Sequence, residues 1–531
     1  MRARTAPPDV SVVIAVYNTM PYLTECLDSL IGQSIGLDRL EIIAVDDGST
    51  DDSPKELARF AAAYPEVVKV ITQPNSGGPA APQNRGIEAA RGRFVFFIGA
   101  DDYLGAEALE RMVATADEHG SDIVLGTMVG VNGRVVPKSV FAHGNRYDIG
   151  LTDSDLPWAL SDTKLFRRAL LERHTIRYHE DLTILCDQAF TLECVLRSAK
   201  ISVLGDYEYY YAVKRDDESN LTYRGRDENM LVALERSMAT AIRLGASDEQ
   251  RTAVFTRYVN NEMIITLSER IPVLERREDQ ERLLETVGRL IEEYIDEAVL
   301  ERLAWRRLVR VLLARGRHLD ALLEAVRFDE ANPQDSTQVI DGRVYLEHPA
   351  FRNPDASVED RWFDRTRTTL NDVTPAWDSA GADAALLLTA HSPAPDYARL
   401  WGPHLSVRLT QHHGDGGPAS ERTFAPAFPG TPADAGTRIR FRIPLAELST
   451  PGRPVAGRWS VRLTLADEEG AFDFPVTAAT LPELKLWLRN RYHRVNLVGD
   501  RAGRAVLALA QIRATRVIAQ RLRRLQALGR K

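Results

Sequence analysis

Two adjacent carboxylates, Asp101 and Asp102, follow the unbroken apolar run Phe94-Val95-Phe96-Phe97-Ile98, with only Gly99 and Ala100 between. Such a run reads as a strand buried on both faces inside a parallel sheet. Open α/β sheets bind ligands at the carboxyl ends of their strands. Neighbouring carboxylates repel, so a pair placed there calls for neutralisation. A Mg²⁺ or Mn²⁺ ion between carboxylate and phosphate oxygens would supply it. A plainer reading makes one of the two acids the N-cap of a helix over Tyr103 to His119. Asp47 occupies the same kind of position, directly after the apolar run Leu40 to Val45.

The elements that must position these acids alternate. A buried strand, Val10 to Val16, runs straight into Tyr17-Asn18, and a helix over 21–35 follows. The strand Leu40 to Val45 then leads to Asp46-Asp47-Gly48-Ser49-Thr50-Asp51-Asp52, whose glycine makes a tight turn and whose polar cluster caps a helix from Ser53. Strand–helix–strand units of this length imply right-handed crossovers and a parallel sheet. A third strand, Val67 to Thr72, reaches Asn75-Ser76-Gly77-Gly78-Pro79, where the glycine pair allows close backbone approach to a flat ligand. A helix over 80–91 returns the chain to Phe94. Neither GxGxxG nor GxxxxGK[ST] is present, which excludes an ordinary dinucleotide fold and a P-loop protein.

This string of signals resembles the family 2 glycosyltransferases of GT-A (Rossmann-like) fold over roughly residues 8–225. The matching stretches are Val10 to Asn18, Ile42 to Asp51, Asn75 to Pro79, Asn84-Arg85-Gly86-Ile87 and Phe97 to Asp102. The resemblance implies an inverting transfer from a nucleotide-sugar donor, UDP-linked, to a hydroxyl of a cell-envelope polymer or lipid-linked glycan. It implies that Tyr17 and the backbone at Ala15 form a wall for the base, that Asp47 accepts from the base's ring N–H, and that Asn75 and Gly78 close the pocket. Asn84 and Arg85 belong to its donor site. Asp101 would face the ribose or the metal, and Asp102 would hold Mn²⁺ or Mg²⁺ against the diphosphate. Arg215 and Ser219, in a polar loop after the aromatic edge strand at Tyr207 to Tyr211, are its candidate phosphate contacts.

An inverting transfer needs a carboxylate to take the acceptor hydroxyl's proton. Two candidates stand open, Asp187 in Cys186-Asp187-Gln188 and Asp181 in Glu180-Asp181; the helix that follows Asp187 favours it. The alternative for Asp187 is an N-cap. Three departures from the family pattern are plain: Gly99 where an Asp is frequent, Gln83 where an Arg is usual, and Cys186 where a Glu is usual. A degenerate protein of this fold serving as a scaffold in envelope assembly is the competing reading.

From 105 to 150 the pattern gives a helix from Glu107, a strand from Ile123 and a hairpin at Asn132-Gly133. Residues 226–335 carry helical periodicity without evident chemistry. Alternating runs from 337 to 480 suggest a β-sandwich, either structural or carbohydrate-binding. The plan resembles bacterial enzymes that decorate teichoic acids, with a glycan or polyol-phosphate polymer as acceptor. The basic stretch 481–531 reads as an amphipathic helical tail, with Val506, Leu509, Val517, Leu522 and Leu525 as its stripe, suited to the inner membrane face or to a partner subunit.

The chain has 531 residues and a net charge of −8, which argues against a nucleic-acid partner. Cys26, Cys186 and Cys194 have no metal-ligand spacing and imply a reducing compartment. The basic N-terminus lacks a cleavage site, and no apolar window approaches a membrane span. The expectation is a cytoplasmic homo-oligomer.

Overall fold

The computed structural model describes residues 7–215, 228–378, 383–395, 397–412, 421–426, 431–433, 436–448, 457–468, 470–476, 481–488, 491–500 and 503–511. It divides into two compact units, one extending to Glu330 and taking in Pro354–Ser357, the other from Ala331 onward.

In the first unit the predicted alternation appears as β1 (Val10–Val16), α1 (Tyr22–Ile31), β2 (Leu40–Asp46), α2 (Ser53–Ala63), β3 (Val68–Thr72), α3 (Ala80–Ala89) and β4 (Phe94–Gly99). Then come β5 (Tyr103–Leu104), α4 (Ala108–His119), β6 (Ile123–Gly126), β7 (Met128–Val131), β8 (Arg146–Tyr147), β9 (Leu165–Arg167), α5 (Arg168–His174), α6 (Cys186–Arg197), β10 (Ile201–Leu204) and β11 (Tyr210–Val213). An eight-stranded sheet has the order β3-β2-β1-β4-β9-β6-β10-β8. Strands β3, β2, β1 and β4 run parallel, with Val13 opposite Ile43 on one side and Phe97 on the other. The apolar runs of β1, β2 and β4 are almost wholly buried because helices cover both faces, while the outer strand β3 is largely half-buried or exposed. Register sets Ala15 beside Val45 and Gly99, so the ends of β1, β2 and β4 open onto one edge.

A small sheet, β5-β11-β7, stands beside that edge. Its middle strand carries Tyr210, which is 1% exposed, so the aromatic segment is a central strand and not an edge. The turn at Asn132-Gly133 has the expected left-handed φ at both residues (53° and 78°). Yet β7 pairs in parallel with β11, and no hairpin forms.

The helices α7 (Glu228–Arg243), α8 (Asp248–Tyr258), α9 (Arg277–Tyr294), α10 (Glu297–Leu300), α11 (Trp305–Arg315) and α12 (Leu319–Ala331) follow. They do not form a separate domain. α7 packs on α6, and the whole array up to Glu330 clusters with the first unit. After α8 the chain continues through two π-helical turns, Val259–Met263 and Thr266–Arg270, a form that recurs at functional sites.

The second unit is antiparallel β-structure. A four-stranded and a seven-stranded sheet share one apolar core built from alternating residues such as Leu386, Leu388, Phe441, Val407, Trp459, Leu463 and Leu507. The strands continue past 480, through Leu484–Leu488, Arg491–Gly499 and Ala505–Gln511. The expected helical tail is therefore corrected up to 511. Val506 and Leu509 are strand residues, and the latter belongs to the sandwich core, because period-two burial of Ala505, Leu507 and Leu509 overrides their helical spacing. Val517, Leu522 and Leu525 lie outside the described residues. No described helix is long and apolar enough to cross a membrane.

Helix α3 rests directly on β1 at Gly86, where a Cβ would come 2.1 Å from Val13 Cγ1. A clash of that depth costs about 3 kcal/mol in a packed core, against roughly 1 kcal/mol gained by alanine in a helix. Gly86→Ala should therefore lower unfolding stability by about 2 kcal/mol, read as a lower denaturant midpoint at constant slope. An unmoved midpoint would show that α3 is not seated on β1.

Candidate active site

The turn out of β4 is closed by Asp102 N–H donating to Gly99 O at 3.0 Å. Helix α4 starts later, after Glu107, so neither Asp101 nor Asp102 is its cap. Both acids are instead held by the strand opposite. Tyr210 OH donates to Asp102 Oδ2 at 2.5 Å and Val213 N–H to Asp102 Oδ1 at 2.8 Å. Arg215 Nε donates to Asp101 Oδ2 at 2.8 Å, and its Nη1 reaches Asn18 O at 3.4 Å. Burial and the charge of Asp101 push Asp102 up to about 7, against the pull of Tyr210, Val213 and Arg134.

Gly99 explains itself here. A Cβ at that position would lie 2.7 Å from Asp102 Oδ2 and 3.1 Å from Asp101 Oδ1, so the two carboxylates converge over the glycine and leave no room for a third. The donor set fits a hard divalent cation: two carboxylate oxygens face one point, at an electrostatic cost that positive charge would relieve. Among the described residues no three acids, histidines or cysteines cluster as a complete cage. Any cation held here takes its remaining ligands from phosphate or water.

Asp47, 3% exposed, is engaged by its own chain. Gln73 Nε2 donates to Oδ1 at 2.7 Å, Ser76 Oγ to Oδ2 at 2.9 Å, and Ser76 N–H reaches both oxygens at 3.1 Å. Asn75 Nδ2 donates to Asp47 O at 3.0 Å. The acid thus organises the 73–78 loop, and base recognition by its carboxylate requires one of these donors to give way. Gly78 at the end of that loop packs on Thr183, where a Cβ would meet Cα at 3.2 Å. Tyr17, just past β1, keeps a 48% exposed ring, while Ala15 is half-buried beside Gly99.

Two further residues assigned to the donor site are placed differently from one another. Asn84 is buried and its amide is fully occupied: Nδ2 donates to Tyr178 O and to Glu180 Oε1, both at 2.9 Å, and Oδ1 accepts from Tyr178 N–H at 2.8 Å. It is a brace for the 178–180 turn. Arg85 lies exposed, because one turn of α3 puts Asn84 inward and its neighbour outward, and it is not among the cavity-lining residues. Ser219 falls outside the described residues.

Asp102 faces a cavity of about 580 Å³ that is also lined by Gly99, Gln83, Arg134, Trp158, Asp162 and Asp187. Asp187 sits in the first turn of α6, after Leu185, which takes a left-handed φ of 52° and is the cap residue. Asp187 is therefore not the N-cap. It keeps a small face toward the cavity and is enclosed elsewhere, and burial, then Asp162, raise it to about 7 against Gln188 N–H, Lys164 and Arg257. The competing Asp181 is 57% exposed and paired with Arg236 at 2.8 Å, away from the cavity lining. Gln83, 6% exposed, lines the cavity with its amide oxygen unpartnered.

Several lining residues had no sequence signal strong enough to find them. Arg257 and Glu262, 2.6 Å apart, enter the cavity wall from the α8–π-turn segment, and Arg257 Nη1 donates to Gln188 Oε1 at 2.9 Å. The available clue was a pair of opposite charges, Arg257 and Glu262, inside a helical stretch that is otherwise uncharged from Phe255 to Ile265.

A family model described as glycosyl transferase family 2 matches residues 11–175. A poly(ribitol-phosphate) beta-glucosyltransferase of Bacillus spizizenii is 35% identical over 66% of this chain and 55% of its own length. The poly(ribitol-phosphate) beta-N-acetylglucosaminyltransferase TarS of Staphylococcus aureus is 30% identical over 68% of this chain and 65% of its own. The chain thus spans just over half to about two thirds of these relatives. The putative glycosyltransferase EpsH of Bacillus subtilis is 30% identical over 49% of this chain and 77% of its own length. The crystal structure of S. aureus TarS 1–349 in complex with UDP-GlcNAc superposes with a TM-score of 0.56 at 28% identity, covering 64% of this chain and 96% of that one.

Asn84→Ala should leave the buried Tyr178 N–H and C=O without partners and lower stability by about 1–3 kcal/mol, measured by chemical denaturation. A stability equal to that of the parent would remove the bracing role.

Proposed function

The chain belongs to the family 2 glycosyltransferases, and on that footing we propose that it moves a sugar from a UDP-linked donor to a hydroxyl of a polyol-phosphate polymer, inverting the anomeric carbon. One observation carries the reading: Asp102 and Asp187 face a single cavity. The donor and acceptor classes are supported by what the relatives are named for and by the UDP-GlcNAc complex of TarS.

The chain's residues divide the work. Tyr17 offers its open ring to the base, and the 73–78 loop fixed by Asp47 closes around it with Asn75 and Gly78. Asp101 and Asp102 would hold Mn²⁺ or Mg²⁺, which when bound would neutralise the charge growing on the departing diphosphate. Tyr210, Val213 and Arg215 keep those two carboxylates converged. Asp187 takes the proton of the acceptor hydroxyl as its oxygen attacks the anomeric carbon from the face opposite the leaving group. A carboxylate raised to about 7 is a stronger base than an ordinary aspartate while remaining largely ionised just above neutrality.

Incubation with UDP-sugars, Mn²⁺ and poly(ribitol phosphate) should yield glycosylated polymer. Asp187→Asn should lower kcat by roughly 10³-fold and leave UDP binding intact; a loss under tenfold would remove Asp187 from the base role. Because the base acts deprotonated, kcat/KM should rise with pH through a midpoint near 7 and level off above it. A midpoint near 4, the value of an unperturbed aspartate, would contradict the assignment. Tight UDP binding without turnover of any donor would favour the scaffold reading.

A further inference from the structure

Asp187 has a second carboxylate for a neighbour. Asp162, in the turn before β9, lines the same cavity, and Tyr178 OH donates to its Oδ2 at 2.6 Å. Tyr178 is itself immobilised. Its ring stacks on Phe190 of α6 with centroids 4.1 Å apart and planes 3° from parallel, and Asn84 grips its backbone from both sides. Phe190 lies one helical turn beyond Asp187, so Tyr178 ties Asp162 to the helix that presents the base.

The charges enclosed there are uneven. Asp162, Asp187 and Glu262 are the acids, and Lys164 and Arg257 the cations; Tyr178, Tyr258, Cys186 and Cys194 are the other titratable groups facing them. Arg257 is already committed to Glu262 and Gln188, and the Lys164 ammonium, 2% exposed, donates to Ser161 O. Three carboxylates against two cations in an enclosed wall leave one negative charge over, so the wall favours uptake of one proton, which the acceptor hydroxyl supplies in the reaction.

We infer that Asp162 and Asp187 work as a carboxylate pair, Asp162 being a positioning residue that shares with Asp187 the proton taken from the acceptor hydroxyl. This rests on the transferase reading. In the reaction the hydroxyl O–H bond breaks and its proton lands on the pair. The oxygen's electron pair forms the new bond to the anomeric carbon, the old bond's electrons leave with the diphosphate, and the proton then passes to water. Burial and Asp162 raise Asp187 to about 7; burial also raises Asp162, with the Tyr178 hydroxyl and Lys164 acting against it.

The test needs a readout independent of turnover. In an Asp102→Asn background, which removes the raised carboxyl outside the pair, pH-difference infrared spectroscopy follows the carboxyl stretching band near pH 7. Asp162→Asn should move that titration down by about one pH unit, because a like charge is lost. Tyr178→Phe should move it up, because the ionised pair loses a hydrogen-bond donor. In the otherwise native enzyme the acidic limb of kcat/KM should follow the same two directions with the donor KM unchanged. Shifts in the same direction, or none in either folded variant, would overturn the pairing. If no donor is turned over at all, the transferase reading fails while the infrared shifts still decide whether the carboxyls are coupled.

Discussion

The structure is governed by the cost of placing like charges side by side at the mouth of a parallel sheet. Asp101 and Asp102 converge over Gly99 within about 3 Å of a common point. Water would screen such a pair at a surface, but here the repulsion is met by a purpose-built clamp. Tyr210, Val213 and Arg215, on and just beyond β11, each donate to one of the two acids. The small β5-β11-β7 sheet exists beside the main one in a way that makes this clamp possible, since its middle strand brings a buried tyrosine under the carboxylates. Such an arrangement stores electrostatic free energy that a cation and an anionic ligand together would release.

The opposite wall of the cavity follows the same logic with different groups. Asp187 and Asp162 line the cavity from α6 and the turn before β9, together with Arg257 and Glu262, and Lys164 is buried close to them. The helical region supplies two of these residues, so it is part of the site and not a spacer between domains. Its π-helical turns bring Arg257 and Glu262 to 2.6 Å at a five-residue separation, where the regular helical pairing distances are three and four residues.

Much of this was legible in the sequence. The apolar runs of β1, β2 and β4, the acids at their ends and the order of the motifs led to the α/β sheet and to the edge where chemistry occurs. Burial on both faces leaves little ambiguity in such strands. The helix after Asp187 already favoured it over Asp181, and the structure adds that Asp187 lines the cavity while Asp181 pairs with Arg236. For Asn84 the motif records that the residue matters without saying that it braces the 178–180 turn. The Arg257–Glu262 pair was hidden because long-range packing, not local pattern, selects it. The strands at 484–511 show the same limit: Val506 and Leu509 fit a helical stripe, and only pairing within the sandwich sheet decides against it.

Calorimetry of UDP binding, with and without Mn²⁺, in the parent and in Asp102→Asn, is the most direct measurement of whether the two acids grip a cation that clasps a diphosphate. The expected result is a gain in UDP affinity of about tenfold or more on adding Mn²⁺, and loss of that gain in Asp102→Asn. Equal UDP affinity in all four conditions would contradict the account.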